Sequence, residues 1–165
     1  MYNLGEQFKR NQEIGRAKDK CIYKGDRYRI TILSERLVRL EYNPTGNFTD
    51  APTELVWNRV FDEPKFAGKE DETFLEIKTP YFTLFYTKEK SFNAGTMNPT
   101  ANLKISVNNS DKFWHYNHPE ARNFHAPLDY LTVGKSKGKI QKSLYSTDGF
   151  ASIDDSKSKL FTETG

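Results

Sequence analysis

The segment YRITILSERLVRLEY (28–42) alternates apolar and polar residues on both sides of a short polar interruption. Apolar side chains occupy positions 28, 30 and 32 and again positions 38, 40 and 42, with Arg29 and Glu41 among the polar residues between them. A period of two is typical of strands that bury one face and expose the other. Residues 34–36 therefore predict the connection of a β-hairpin.

The same alternation predicts further strands in FLEIKTPYFTLFYT (74–87) and LKISV (103–107). TELVWNRVF (53–61) is another strand candidate, DKFWHY (111–116) suits either a strand or a loop, and SLYSTDGFASIDDS (143–156) suits two short extended pieces around Gly149. Helical spacing of apolar residues persists nowhere for three turns. Many short strands between loops indicate an all-β antiparallel sandwich or barrel, with at least eight strands and less than about a tenth of the residues in helix.

With 165 residues the chain is long enough for one domain, and we expect a lead-in segment at 1–25 and a sandwich domain at 26–165. Twelve Phe and nine Tyr argue against disorder. The net charge is only +3, which gives no strong field. The basic run VGKSKGKIQK (133–142) lacks the aromatic residues that stack on bases, so it predicts a solvated loop and no nucleic-acid partner.

Cys21 is the only cysteine, so an internal disulfide is impossible, and its neighbours suggest a strand start with a structural thiol. The first twenty residues, MYNLGEQFKRNQEIGRAKDK, are polar throughout and predict neither a signal peptide nor a membrane span. The sequence therefore predicts a cytoplasmic protein without a membrane partner.

His115, His118 and His125 lie close together in the sequence, with Glu120 between them. A metal site needs three or four such groups to converge, and HxxH in a loop with Pro and Asn does not force convergence as HExxH on a helix does. We expect a surface loop and no metal. The GxSxG motif of serine hydrolases and the glycine-rich loops that bind nucleotides are absent, so no cofactor is expected either.

LYSTDGFASIDDS (144–156) places the acids Asp148, Asp154 and Asp155 beside a glycine and several hydroxyl residues. Glycoside hydrolysis needs two carboxyl groups about 5–5.5 Å apart for retention, or about 6.5–9.5 Å apart for inversion. Asp154 and Asp155 are adjacent and point to opposite faces of an extended chain, so they cannot form such a pair with each other. A pair between Asp148 and either of them stays open. The residues alone favour a solvated turn whose Asp side chains bond local amides.

Several of these segments, in this order, resemble the N-terminal domain of glycoside hydrolase family 31, the α-glucosidase and α-xylosidase family. The shared features are an Arg-hydrophobic-Glu strand at 39–41, a PT…V…NR segment at 52–59, the Leu128-Asp129 pair and the closing STDGFASIDDS, where the family has SRDGW…DDS. They span roughly residues 26–160. Two motifs depart from the family pattern: Arg-Asp-Gly-Trp reads TDGF (147–150), and the Gly-Gly-Thr before the Leu-Asp pair reads NFHAP (123–127).

The resemblance implies a two-layer antiparallel β-sandwich similar to galactose mutarotase, followed in the parent enzyme by a (β/α)8 barrel. The nucleophile and the acid/base of a retaining α-glycosidase lie in that barrel, which needs about 250 residues. The chain is then a fragment with no catalytic residue of its own, whose partners are the barrel in cis and, through the parent, an α-glucoside or α-xyloside. Asp148 is the implied substrate-binding residue, accepting a hydrogen bond from a sugar hydroxyl, while Asp154, Asp155 and Ser156 fix the turn.

Two alternatives stay open. A self-sufficient carbohydrate-binding module would stack sugar rings on exposed aromatics such as Trp114 and Tyr116. A complete mutarotase-like enzyme would need a histidine and a carboxylate facing one another in an open cleft.

Overall fold

A computed structural model describes residues 12–92, 102–118, 123–127 and 140–161. Within these ranges the chain forms ten strands, two short 3-10 helices (Gln12–Gly15 and Asp19–Cys21) and no α-helix. The strands are β1 Ile22–Lys24, β2 Tyr28–Ser34, β3 Leu37–Tyr42, β4 Ala67–Glu70, β5 Phe74–Lys78, β6 Phe82–Thr87, β7 Leu103–Val107, β8 Phe113–His115, β9 Asn123–Pro127 and β10 Ile140–Ser146. The predicted all-β class is confirmed.

Strands β1, β2 and β3 form a three-stranded antiparallel sheet with β2 in the centre. Ile30 pairs with Leu40 on one face, and Arg29 pairs with Glu41 on the other, because successive side chains alternate across a strand. The hairpin predicted from the alternation is therefore confirmed, with its connection between β2 and β3. One face of this sheet is apolar and the other carries charge. In β2 both faces are buried, since Arg29 and Thr31 are buried like Ile30, so the expectation of one exposed face is wrong for this strand.

Strands β4 to β8 form a five-stranded antiparallel sheet in chain order. Leu75 and Ile77 of β5 and Leu84 and Tyr86 of β6 are fully buried, whereas Phe85 between the last two is exposed. The inward and outward faces predicted for this segment are thus confirmed. Strands β9 and β10 pair separately as a two-stranded antiparallel ribbon.

The two larger sheets pack face to face through one cluster of buried side chains, which makes the fold a two-layer antiparallel sandwich as predicted. Tyr28 and Tyr86 meet edge to face across the layers, with ring centroids 5.0 Å apart, a contact that adds about 0.5–1.5 kcal/mol to the gain from burial. The finer likeness to galactose mutarotase stays a prediction. The cluster comprises Tyr28, Ile30 and Ile32 from one sheet, Leu75, Ile77, Phe82, Leu84, Tyr86 and Leu103 from the other, and Phe92.

The strand predicted at 53–61 is wrong, because only Thr53 makes a strand-like bridge there. Polar side chains turn the backbone instead. Thr53 Oγ1 accepts a hydrogen bond from the Val56 N–H at 2.9 Å, and Asn58 Oδ1 accepts one from the Val60 N–H at 2.8 Å. Such local bonds offer the backbone an alternative to a strand ladder.

The basic run predicted as a loop differs in part, because its last residues, from Ile140, belong to β10. Residues 133–139 lie outside the described ranges. After Gly149 the chain forms no strand up to the bridge at Leu160, so only the first of the two expected extended pieces is regular.

Residues from the segment expected as a lead-in join the sandwich. Strand β1 pairs with β2, and Cys21 before it is 3% exposed. Burial raises the pKa of the Cys21 thiol, which keeps it protonated and suits the structural role predicted for it. Among the described residues, no helix has the length and apolar character to cross a membrane.

Candidate functional site

The loop predicted to reach a sugar begins with a tight turn directly after β10. The N–H of Gly149 donates to the Ser146 carbonyl at 3.5 Å, and the N–H of Asp148 donates to Ser146 Oγ at 3.0 Å. Gly149 has a φ of +78°, a left-handed conformation that glycine adopts without steric cost. The glycine thus serves the turn that places Asp148.

Asp148 is 8% exposed, so the expectation of a solvated turn is wrong for this acid. A Cβ built on Gly149 would lie 3.9 Å from Val107 Cγ1, which puts the turn against the end of β7. On the other side, the ring of Phe150 meets the ring of His118 edge to face at 5.0 Å. The turn that carries Asp148 is therefore packed against other parts of the chain on both sides.

The two described histidine side chains also pack instead of lying in a surface loop. His115 is 7% exposed, and its Nδ1 donates to the Tyr116 carbonyl at 2.9 Å. Its ring centroid lies 5.1 Å from that of His118. Within the described ranges no three His, Cys, Asp or Glu residues converge as a metal site requires. The side chains of Glu120 and His125 lie outside the described part of the chain.

Of the two acids at the end of the loop, Asp154 stabilises its own turn, whereas the side chain of Asp155 bonds a distant segment and not the turn expected for it. Asp154 is exposed, and its Oδ1 accepts a hydrogen bond from the Ser156 N–H at 3.0 Å. Hydrogen bonds from Ser156 lower the pKa of Asp154. Asp155 is half-buried, and its Oδ2 accepts a hydrogen bond from the Thr53 hydroxyl at 2.8 Å. Asp155 therefore fixes a contact between distant segments.

That contact belongs to a longer pairing, which we call the clamp, between residues 52–57 and 155–161. The Glu54 N–H donates to the Lys159 carbonyl, and the Phe161 N–H donates to the Pro52 carbonyl, both at 2.9 Å. The rings of Trp57 and Phe161 meet edge to face at 4.5 Å. Two segments that are irregular by themselves are thus held against each other by backbone bonds and ring packing.

Near the clamp, the charged face of the three-stranded sheet carries an arginine–carboxylate network. The guanidinium of Arg29 binds both carboxylate oxygens of Glu41, at 2.7 and 2.8 Å, and Asp50 at 2.5 Å. Burial opposes the charge on Arg29, but these two acids outweigh it and raise the pKa of this residue. Arg39 also pairs with Glu41, with 3.0 Å between Arg39 Nη2 and Glu41 Oε1. The network ties the loop at Asp50 to the sheet.

Arg59 differs from these arginines because it binds carbonyl groups only. It is 2% exposed, and its guanidinium donates to the Gly15 carbonyl at 2.8 Å and to the Ala51 carbonyl at 3.1 Å. Burial and then the nearby charge of Arg39 lower the pKa of Arg59 to about 10. Sequence reasoning missed this residue. The Arg29–Glu41 pair was accessible from the hairpin register, but nothing local marks Arg59 as buried.

The clamp and its neighbouring loops leave large apolar side chains exposed. Each is 38–58% exposed, and Trp57 is the largest of them. Several large apolar side chains left exposed in two neighbouring segments are typical of a surface that another protein surface covers. The residues are Leu55, Trp57, Val60, Phe61, Ile153 and Leu160.

No family model matches the chain, and a search of curated proteins finds no match to it. The resemblance to the N-terminal domain of family 31 therefore stays a hypothesis that rests on the motifs themselves.

Proposed function

We propose that the chain is the N-terminal β-sandwich domain of a cytoplasmic α-glucosidase-like glycoside hydrolase of family 31. One observation carries the proposal. The clamp joins the PT…V…NR segment to the DDS segment, the two motifs most specific to the resemblance. Thr53 of the first bonds Asp155 of the second, although they are 102 positions apart. Because the two motifs hold each other in place through this bond, a domain that has one of them needs the other.

The domain's first role is to support the catalytic barrel of the parent enzyme. The exposed apolar residues around Trp57 supply a surface for that contact, since an interface between domains removes such side chains from water. The chemistry of hydrolysis, with its nucleophile and acid/base, belongs to the barrel. The chain alone is then without glycosidase activity, and a nitrophenyl α-glucoside incubated with it should stay intact.

The domain's second role is to lend the Asp148 loop to the sugar pocket. A carboxylate accepts hydrogen bonds strongly from sugar hydroxyls, and such a bond to a charged group contributes about 1.5–3 kcal/mol. In the full-length parent, Asp148→Asn replaces the charged acceptor by a neutral one and removes about 1–1.5 kcal/mol of this bond, so kcat/KM should fall by about 5- to 13-fold. Because Asp148 is buried, the conservative amide is preferable to alanine, which would also leave a void.

Asp154→Asn is the matched control, because it makes the same chemical change at an exposed acid of the same loop. It should leave kcat/KM close to that of the wild-type parent. If Asp148→Asn also leaves kcat/KM within about twofold, a difference of under about 0.5 kcal/mol, the assignment of Asp148 to the sugar site is wrong.

A carbohydrate-binding module is the second candidate, and one observation favours it. Phe74 and Phe85 form a pair of exposed rings, with centroids 5.1 Å apart, on the outer face of the five-stranded sheet. Trp114, by contrast, packs against the core cluster and is a poor platform for a sugar. Calorimetric titration with maltooligosaccharides tests the idea: binding that Phe85→Ala removes would support it, and no heat of binding would exclude it.

A further inference from the structure

The three-stranded sheet has an open edge at strand β3, because within the described ranges β3 pairs with β2 alone. The Asn43 N–H donates to the opposed Arg27 carbonyl at 2.9 Å, which makes these two residues a hydrogen-bonded pair. Hydrogen-bonded and non-hydrogen-bonded pairs alternate along an antiparallel ladder, so Arg39 and Glu41 also direct their backbone groups toward β2. The residues that direct their N–H and C=O groups away from the sheet are therefore Val38, Leu40 and Tyr42.

The opposite layer extends beyond this edge. Strand β1 lies against the β4 edge, since Tyr23 packs edge to face on Phe66, directly before β4, with ring centroids 6.3 Å apart. Strand β2 lies against β6, since Tyr28 meets Tyr86. Strand β3 therefore lies toward β7. Because strands have the same spacing in both sheets, three strands cannot cover five, and the β8 side of the larger sheet has no strand of the smaller sheet opposite it.

The inward side chains on that side are only half-buried. Ile105 of β7 pairs with the fully buried Leu84 and with Trp114 of β8, so all three point toward the core. Ile105 and Trp114 pack on the core cluster but keep part of their surface exposed. Val38 and Leu40 of β3 do the same. The free edge of β3 and these four partly covered side chains form one surface, which we call the β3 slot.

We propose that the β3 slot binds an extended segment of another polypeptide, which joins the three-stranded sheet as a fourth, antiparallel strand. The groups left open at the edge are backbone donors and acceptors at the spacing of a strand, and an extended backbone is the ligand that matches them. Alternate side chains of the added strand point toward Ile105 and Trp114, so we expect those side chains to be apolar.

The charges on the outer side of the slot determine a further position of the segment. Arg39 and Glu41 lie side by side on the outer face of β3. In the added ladder the partner of Arg39 belongs to a non-hydrogen-bonded pair, the type with the closer side chains. Opposite charges in such cross-strand pairs attract and like charges repel, so an acidic residue fits opposite Arg39 and an uncharged one fits opposite Glu41.

A second copy of the chain fits the slot poorly. Antiparallel pairing of β3 with its own copy follows a two-fold axis perpendicular to the sheet, which keeps both five-stranded layers on the same side. The β8 side of each layer extends beyond β3, so the two layers would overlap in space. A single strand that has no second layer avoids this collision.

Fluorescence anisotropy of a labelled peptide with the whole chain is the direct test. The peptide alternates valine and threonine, with glutamate in place of the threonine that faces Arg39, and its central valine pairs with Leu40. We expect a saturable rise in anisotropy that unlabelled peptide reverses. N-methylation of the central valine removes the N–H that bonds the Leu40 carbonyl and should weaken binding at least about tenfold. N-methylation of the glutamate is the matched control, because its N–H points away from β3, and it should change the Kd by less than about threefold.

The charge requirement has its own variants. Exchanging the glutamate of the peptide for lysine should weaken binding to the wild type at least about threefold, and Arg39→Gln should abolish that preference. Arg36→Gln should retain it, because Arg36 lies in the hairpin turn and stacks on Tyr81 at 3.9 Å. A preference that persists in Arg39→Gln would contradict the pairing that we describe. If Arg39→Gln does not fold, the two N-methylated peptides still test the proposal on the wild-type chain.

Three results would overturn the proposal. The first is the absence of any saturable, reversible rise in anisotropy. The second is equal binding of the two N-methylated peptides, because the peptide would then attach through its side chains without pairing as a strand. The third is a stable dimer in sedimentation velocity that the peptide does not dissociate, because a second copy would then occupy the edge of β3.

Discussion

Asp155→Asn should destabilise the chain clearly more than Asp154→Asn, although the two substitutions are chemically identical and adjacent. Asp155 Oδ2 accepts a hydrogen bond from the Thr53 hydroxyl at 2.8 Å, which joins the two segments of the clamp. Asp154 Oδ1 accepts a hydrogen bond from the N–H of Ser156, two residues along in the same exposed turn. The amide oxygen of Asn at position 155 can still accept a hydrogen bond from the Thr53 hydroxyl, but this acceptor is uncharged. The charge that attracts Arg39 and Arg59 is lost as well.

The magnitude follows from two contributions. Exchanging a charged acceptor for a neutral one removes about 1–1.5 kcal/mol, the difference between the two kinds of hydrogen bond. Losing the attraction to nearby arginines removes about 1 kcal/mol more, as is typical of partly exposed pairs. A total of about 2 kcal/mol corresponds to a fall in Tm of about 4–8 °C for a chain of this size. Asp154→Asn keeps its acceptor oxygen and should change the Tm by less than about 2 °C.

Thermal and urea unfolding followed by far-ultraviolet circular dichroism measure both variants. Thr53→Val supplies the partner for a double-mutant cycle, in which Asp155→Asn and Thr53→Val should show a coupling energy of about 1 kcal/mol. If Asp155→Asn melts no lower than Asp154→Asn, or if the cycle shows no coupling, the clamp does not stabilise the fold as we argue.

Three further predictions concern the sandwich and its turn. Leu84→Ala should cost about 2–5 kcal/mol in urea unfolding because Leu84 is fully buried, and Phe85→Ala, one residue along on the exposed face, should cost less than half as much. Gly149→Ala should cost about 1 kcal/mol because of the positive φ, and Gly149→Asn should cost less because Asn tolerates that region, whereas equal Tm values for both would contradict this account. Burial raises the pKa of Tyr28 from 10.0 to about 12, so its neutral phenol stabilises the folded state below pH 10, and that contribution is lost as the pH rises toward 12. Tyr28→Phe should therefore flatten the fall in Tm over this pH range, and an unchanged slope would refute the assignment.

The sandwich could be predicted because its strands are amphipathic and local. At Leu84 the alternation of apolar and polar residues both identifies the strand and says which face is buried. At Ile30 it identifies the strand only, because Arg29 and Thr31 on the opposite face are buried as well. The irregular clamp gave no such signal. TELVWNRVF has the composition of a strand, and only side-chain bonds such as that of Thr53 to the Val56 N–H turn it away from one.

The site was predictable to a smaller extent, because most of its contacts join segments that are distant in the sequence. The glycine of the Asp148 turn could be interpreted from residue type alone, since few other residues adopt a positive φ. The burial of Asp148 could not, because its turn packs against Val107 and His118, which are distant in the sequence. Arg59 is the extreme case: it is a charged residue in a segment that forms no strand, and it is buried because backbone from Gly15 and Ala51 folds around its guanidinium.

The clamp also has a consequence for the order in which the chain folds. Each neighbouring pair in the sandwich joins strands that follow one another in the sequence, so those pairs can form early. The Thr53–Asp155 contact closes a loop of about a hundred residues, which is entropically slower to form, and it cannot form before Asp155 has left the ribosome. Until then part of the outer face of the three-stranded sheet faces water. Because this face carries arginines and carboxylates, it stays solvated before the clamp forms and presents no apolar patch on which other nascent chains could aggregate.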